Sequence, residues 1–372
     1  MRASAVAGIV FANANDNLLK KLTSHRSMAS VPFGARYRLI DFALSNLVNA
    51  SITNVGIITK ENYRSLMDHV GNGIYWDLDR KNGGLYILPP YLMSGVKRYS
   101  GTIDALYSAK DYIKRCKAEL IVLCAADVLA NVDISAVIKF HIDSNADVTT
   151  VYHNGILPPK RDDAMILKLD KQNRVTSIKF NAVSGTENSY GIGITVISKA
   201  LLSRLVDEAY EDDLTSLNRD VLAKNVKQIK IMGYEHSEFV ALMNGTDTYY
   251  QANMALLNSD VRRQLFNPER SIYTKTRDDM PTRYGISCDV TNSYIADGCV
   301  INGTVKNSIL FRGVTVEKGA VVENCILMQE TKVGEKTQLE NVISDKNAVI
   351  GSEMVLKGTK QKLFFVKKNQ IV

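Results

Sequence analysis

The spacing of apolar residues divides this chain into three parts. Up to about residue 250, short unbroken apolar runs alternate with stretches in which apolar positions recur at helical spacing. Residues 6–11 read as a buried opening strand, and residues 54–58, inside the stretch 52–59, as a second. Residues 119–124 and 147–152 continue the series, with helical patterns over 104–116 and 132–144 set between strands. This order predicts a mainly parallel, doubly wound sheet, a fold whose ligands bind at the carboxyl ends of strands.

An amphipathic helix is predicted over 248–265, with Tyr249, Ala252, Leu256 and Val261 near helical spacing. Residues 266–284 hold Pro268, Pro281 and many charges, and read as a linker. Beyond them the period becomes six. Apolar residues fall at Ile295 and Ile301, at Leu310, Val316 and Val322, and at Val333 and Leu339, with a slip between the sets. Small residues such as Cys299, Val305, Ala320 and Thr337 follow four positions later. Hexapeptide steps of this kind predict a parallel β-helix, which exposes coil edges and favours assembly with other chains. The expected domains are a sheet domain over 1–255, a helix and linker over 256–284, and the β-helix over 285–372.

Composition narrows the setting. Of 372 residues, 45% are hydrophobic and 23% charged, as in ordinary soluble domains. Apolar runs fall short of the roughly 18 residues of a membrane span, and Arg2 is followed by no long apolar stretch of a secretion leader. Five cysteines, an odd number with no C-x-x-C pair, point to reduced thiols in a cytoplasmic protein. The net charge of +7 is dispersed, with no basic run longer than Lys367-Lys368. It argues against nucleic acid and membrane as partners and is compatible with attraction for small phosphorylated ligands.

The chemistry starts at the turn after the first strand. In nucleotide-binding sheets this turn cradles phosphate with backbone N–H groups, and glycine keeps Cβ atoms out of the way. Here the turn, residues 12–23, has neither glycine nor arginine. Gly101 and Thr102 suit either an approach to a nucleotide or the start of a helix. Asp127, at a strand end, suits either a metal ligand or a turn. Arg36 and Arg38 suit either an anionic ligand or, the favoured reading, a pairing with Asp41, and His25 and Arg26 are expected to be solvated or to touch an anionic effector. Met28 reads as packing, and the charge run Asp77, Asp79, Arg80 and Lys81 around Trp76 as a surface loop. The five histidines show no metal spacing.

The run Val31-Pro32-Phe33-Gly34-Ala35-Arg36-Tyr37-Arg38-Leu39-Ile40-Asp41-Phe42, with Leu44-Ser45-Asn46 after it, is similar to V-P-F-G-G-K-Y-R-I-I-D-F-x-L-S-N. That motif belongs to the glucose-1-phosphate adenylyltransferase family, and the resemblance extends over nearly the whole chain. Gly101-Thr102-Ile103-Asp104-Ala105 resembles the family's G-T-A-D-A, and Asp127 matches the aspartate of its G-D. The resemblance implies a nucleotidyltransferase-like, Rossmann-type sheet domain followed by a left-handed β-helix. It also implies a reaction in which glucose 1-phosphate attacks the α-phosphorus of ATP, with cationic side chains and Mg²⁺ neutralising charge. Two carboxylates hold the metal, because Mg²⁺ prefers hard oxygen ligands.

The departures cluster at one site. Asn13, Ala14 and Asp16 stand in the glycine-rich turn and Leu18 replaces its arginine. Met28-Ala29 replaces K-P, Tyr91-Leu92 a glutamine pair near the adenine, and Ala126-Asp127 the G-D. Phe180-Asn181-Ala182 replaces the sugar-phosphate E-K-P, and the second metal aspartate, in W-x-D-V-G-T, is expected at Leu242. With Leu242 opposite, Asp127 is left as a single carboxylate, a poor Mg²⁺ site.

The family's GlgD-type subunits are non-catalytic partners of an active subunit, and this chain resembles that form. The expectation is a chain inactive or very weak alone, with no catalytic residue, no metal and no cofactor of its own, Mg²⁺ belonging to the catalytic partner. Gly101, Thr102 and Asp127 are then vestigial nucleotide-binding positions. A catalytic glucose-1-phosphate adenylyltransferase subunit is the expected partner, in a hetero-oligomer such as a heterotetramer. The chain alone is compatible with a homo-oligomer, and a small phosphorylated effector is a further partner. One alternative is an active enzyme of altered substrate preference, for which Lys20, Lys21 and Arg26 are the nearby cations. The other is an effector-binding module without an enzyme partner.

Overall fold

The computed structural model describes residues 5–12, 14–60, 62–90, 99–159, 161, 163–181 and 185–372. The first half runs β1 (Val6–Phe11), β2 (Pro32–Phe33), β3 (Tyr37–Arg38), α1 (Leu39–Asn49), β4 (Asn54–Ile58), α2 (Arg64–Val70) and β5 (Gly84–Leu88). Next come α3 (Thr102–Ser108), α4 (Lys110–Arg115), β6 (Leu120–Ala125), β7 (Val128–Leu129) and α5 (Ile134–Asp143). The sheet domain is completed by β8 (Val148–Ile156), β9 (Ile166–Leu169), β10 (Val175–Lys179), β11 (Glu187–Ser198), α6 (Lys199–Glu211), β12 (Ile231–Glu235) and β13 (Ala241–Leu242).

Strands β6, β1, β4 and β5 lie side by side and parallel, with Val10 of β1 opposite Ile57 on one side and Cys124 on the other. Their unbroken apolar sequences follow from cover on both faces. Ile40, Leu44 and Leu47 pack with Val55, Ile57 and Val122 on one face. Ile103, Leu106 and Ile113 pack with Ile9, Ile121 and Leu123 on the other. Beyond β6 the sheet turns antiparallel: β11 runs against β6, β8 and β9, and β8 takes β12 in parallel.

Two predicted helices are each two. Residues 104–116 break at Ala109, between α3 and α4. Residues 248–265 divide into α7 (Thr246–Ala255) and α8 (Ser259–Leu265), because the Asn258 side chain accepts from Asp260 N–H and starts a new helix. The stretch after α8 is held down: Asn131 donates to the Leu265 and Arg270 carbonyls at 3.0 and 2.8 Å.

From Arg283 the chain winds into three parallel five-stranded sheets. Ile301, Val316, Val333 and Ile350 stack in one, and Val305, Val322, Leu339 and Leu356 in the next. Ile295, Leu310 and Leu327 stack in the third. Each six-residue step therefore moves one face around the coil. The five-residue steps from Val305 to Leu310 and from Val322 to Leu327 turn at the corner formed by Asn292, Asn307, Asn324 and Asn341, all at positive φ, and the first coil is also shortened between Ile301 and Val305. Asparagine tolerates the left-handed region at low cost and allows a tighter corner.

The two domains share a core. Met28, Phe33, Phe42 and Tyr249 form one apolar cluster with Ile309, Phe311, Ile326, Met328 and Ile343 of the coil. Across the same junction Arg26 meets Asp345 at 2.8 Å and Arg36 meets Asp297 at 2.9 Å. Among the described residues no helix is long and apolar enough to cross a membrane. All five cysteines are free.

Candidate functional site

The carboxyl end of β6 leads directly to Asp127, and the carboxyl end of β1 leads to the turn that lacks glycine. Two crossing elements then build around Asp127. Strand β13 pairs antiparallel with β7, setting Leu242 opposite Val128. The Met243 N–H donates to the Asp127 carbonyl at 3.0 Å. Met243, fully buried, is thus the residue across from Asp127, and Leu242 is not. The sequence held the signal for this correction: Gly245-Thr246, at the head of α7, supplies the motif's G-T, and counting back from it reaches Met243.

Sequence reasoning missed the group that fills the site. Arg161 approaches from the segment between β8 and β9, and its Nη1 lies 3.0 Å from Asp127 Oδ2. Nη1 also donates to the Met243 carbonyl at 3.2 Å. Nε and Nη2 grip Asp163 at 2.8 and 3.0 Å, a bidentate pairing. The side chains of Arg161 and Asp127 are 6% and 4% exposed, so this charge pair is sealed from water. Burial works against the Arg161 charge, but Asp127 and Asp163 outweigh it and raise its pKa. Burial likewise favours the neutral Asp163 carboxyl, and Arg161 overrides it and holds the pKa below the ordinary value.

The turn after β1 completes the cluster with its own side chains. Asn15, at φ 62°, directs its amide Nδ2 to Asp127 Oδ2 at 2.7 Å and to Asp163 Oδ2 at 3.3 Å. Asp16 accepts the Met28 N–H at 2.5 Å, and burial raises its carboxyl. Thr23 Oγ1 closes the short helical turn Asp16–Leu19 by donating to the Asp16 and Leu19 carbonyls. Leu19, Leu22 and Met28 are buried in the junction core. Where a phosphate cradle would stand, the chain has a self-satisfied turn.

The residues present do not fit a divalent ion. A Mg²⁺ site needs several hard oxygen ligands converging on open space. Here a guanidinium takes the facing oxygens of Asp127 and Asp163, and the partner of the aspartate pair is a thioether side chain. Among the described residues no group of three or more His, Cys, Asp or Glu side chains is placed to hold a metal.

Gly101 and Thr102 have their hydrogen bonds elsewhere. A Cβ on Gly101 would lie 2.1 Å from the Thr215 carbonyl oxygen, so glycine is required by backbone packing. Thr102 Oγ1 accepts from the Leu217 N–H at 2.9 Å, and Ile103 N–H donates to the Thr215 carbonyl. The pair clamps α3 to the segment that follows α6. Phe180 lies under the Arg219 guanidinium, 4.9 Å from its carbon to the ring centre. Asn13, Tyr91, Leu92 and Ala182 lie outside the described residues.

The arginines of the P-F-G region act at the domain junction. Arg36 pairs with Asp297 rather than with Asp41. Asp41, fully buried, accepts the Arg38 backbone N–H at 2.9 Å and binds His69 Nε2 at 2.6 Å. The Arg38 guanidinium donates to Ser65, and burial lowers its pKa to about 10. Arg26, expected to be solvated or to face an effector, is buried against Asp345, while His25 is exposed. Burial, reinforced by Arg38 and Arg26, pulls the Lys346 ammonium down to about 6. Trp76 is buried against His69, so only the charges around it form the surface loop.

Residues 8–178 match the nucleotidyl transferase family model, and residues 279–372 match the GlmU-like C-terminal hexapeptide model. The chain is 34% identical to glycogen biosynthesis protein GlgD of Bacillus subtilis, covering 98% of this chain and 96% of that protein. It is 32% identical to a glucose-1-phosphate adenylyltransferase of Bacillus mycoides and 31% identical to that of Bacillus anthracis. Each of those two matches covers 94% of this chain and 92% of the relative. By identity and by the length matched, the chain belongs to the glucose-1-phosphate adenylyltransferase family, which also holds the glycogen biosynthesis protein GlgD.

Proposed function

We propose that this chain is a non-catalytic, modulating subunit of a cytoplasmic glucose-1-phosphate adenylyltransferase in glycogen synthesis. The reaction, ATP and glucose 1-phosphate to ADP-glucose and pyrophosphate, belongs to a catalytic homologue that binds Mg²⁺. One observation carries the reading: Asp127 faces Met243 and is held by Arg161. Loss of a positioned charge group at such a site costs on the order of 10²–10³ in rate, and here the carboxylate pair is gone together with the glycine turn.

The intact scaffold supports a role in assembly. The P-F-G hairpin, α1 and the coil share one core, so a change at the coil is passed to the sheet domain through packed side chains. A partner that packs on this scaffold shifts the conformational populations of the active subunit without chemistry here. The small phosphorylated effector is assigned to the junction. Arg26, Arg38 and Lys346 lie together there, and Arg26 Nη1 has no hydrogen-bond partner among the described residues.

The test is a titration. A catalytic homologue is assayed for ADP-glucose at fixed concentration while this chain is added. Saturable change in substrate affinity or turnover, with the two chains co-eluting, is the expected result. Independent elution and unchanged kinetics would overturn the proposal.

A further inference from the structure

Asp127 and Asp163 point at one spot, and a guanidinium stands in it. Carboxylates that share a site repel each other unless a cation lies between them. In this chain the cation is covalent: Arg161 uses Nε, Nη1 and Nη2 on the two carboxylates and the Met243 carbonyl. Asn15 adds a fourth donor group, bridging the same two carboxylates from the turn after β1.

We infer that Arg161 is a resident cation, held where the fold would otherwise recruit a divalent ion, so that this cleft is folded and closed without metal. The inference rests on the reading of the chain as non-catalytic and deepens it by naming what took over the charge. Its consequence is a swap of dependence. The wild-type cleft should ignore divalent cations. Without the guanidinium, Asp127 and Asp163 become an uncompensated pair with hard oxygen ligands, the donor set that Mg²⁺ and Mn²⁺ take. A ligand that binds only the folded form raises the melting temperature with the logarithm of its concentration.

The experiment measures the melting temperature of the full chain against MnCl₂, with KCl at matched ionic strength as control, for wild type, Arg161→Ala and Arg161→Ala/Asp127→Asn. The wild type is expected to show no Mn²⁺-specific shift. Arg161→Ala should melt lower in KCl and recover part of the loss as MnCl₂ rises, and the double variant should lose that response. If Arg161→Ala folds only poorly, its yield on refolding with and without MnCl₂ carries the same reading. A Mn²⁺ shift in the wild type that Asp127→Asn abolishes would overturn the inference. So would an Arg161→Ala chain that responds no more than wild type in melting or refolding. Either failure leaves modulation of a catalytic homologue standing, which the kinetic titration decides separately.

Discussion

Arg161–Asp127 in the cleft and Arg26–Asp345 at the domain junction are both sealed guanidinium–carboxylate pairs, the second with side chains only 3% and 2% exposed. Their surroundings differ in how fully each guanidinium is engaged. Arg161 has a second carboxylate, a carbonyl and a bridging asparagine amide around it. Arg26 has one carboxylate and an Nη1 without a partner among the described residues, and together with Arg38 it lies close enough to depress Lys346. Every nitrogen of the cleft guanidinium is therefore engaged from within, whereas at the junction Arg26 keeps a nitrogen without a partner among the described residues. The cleft has closed on itself, and the guanidinium nitrogen left without a partner among the described residues lies at the junction between the two domains.

The largest way to break this comparison is Arg161→Ala. Removing one partner of a buried pair leaves the other uncompensated and costs about 3–5 kcal/mol of stability, read as a large drop in the denaturant midpoint. A loss within a few tenths would mean that water reaches Asp127 and that the cleft is not sealed.

Asp345→Asn should cost less, about 1.5–3 kcal/mol, the range for hydrogen bonds to charged groups, because Arg26 then lacks its carboxylate. Inorganic phosphate should stabilise the wild type and restore part of this loss. Phosphate that stabilises neither would remove the contrast between the two sites.

What was legible in the sequence follows the same division. Unbroken runs such as Val6–Phe11 and Leu120–Ala125 are legible because helices cover both faces of the parallel strands, leaving no polar alternation. The coil is legible because its six-residue step repeats one geometry. The antiparallel half was not, since β11 pairs with three strands and its order depends on contacts far apart in the chain. The glycine-free turn and Asp127 were visible as losses, but Arg161 is 34 residues from Asp127 on an irregular segment, and no spacing rule joins them. The corner asparagines at 292, 307, 324 and 341 were a readable signal that the apolar pattern alone did not reveal.

Lys346→Met probes the charge at the junction through pH. The Lys346 pKa is lowered to about 6 in the folded chain, below the ordinary lysine value it has when unfolded. Between those values the unfolded chain binds more protons, so this group makes stability rise with pH from about 6 into the alkaline range. Lys346→Met should flatten that slope and stabilise the chain most at and below about pH 6. An unchanged pH profile would show that Lys346 carries no strain. Binding of phosphate at the junction should also draw a proton onto Lys346, visible as a binding heat that depends on the buffer.

Gly101→Ala is a smaller, steric control outside both charge sites. Its Cβ meets the Thr215 carbonyl, and overpacking of this kind costs about 1–3 kcal/mol. The cost should be independent of both Mn²⁺ and phosphate. Dependence on either would tie Gly101 and Thr102 to a ligand site and end their reading as a clamp between α3 and the 215–217 segment.

The central claim, that this family member carries no turnover of its own, is tested most directly by one rate. The purified chain is given saturating ATP, glucose 1-phosphate and Mg²⁺, and ADP-glucose is measured against a reaction without protein. The two are expected to be indistinguishable. ADP-glucose formed at the rate of an ordinary catalytic subunit would contradict the claim.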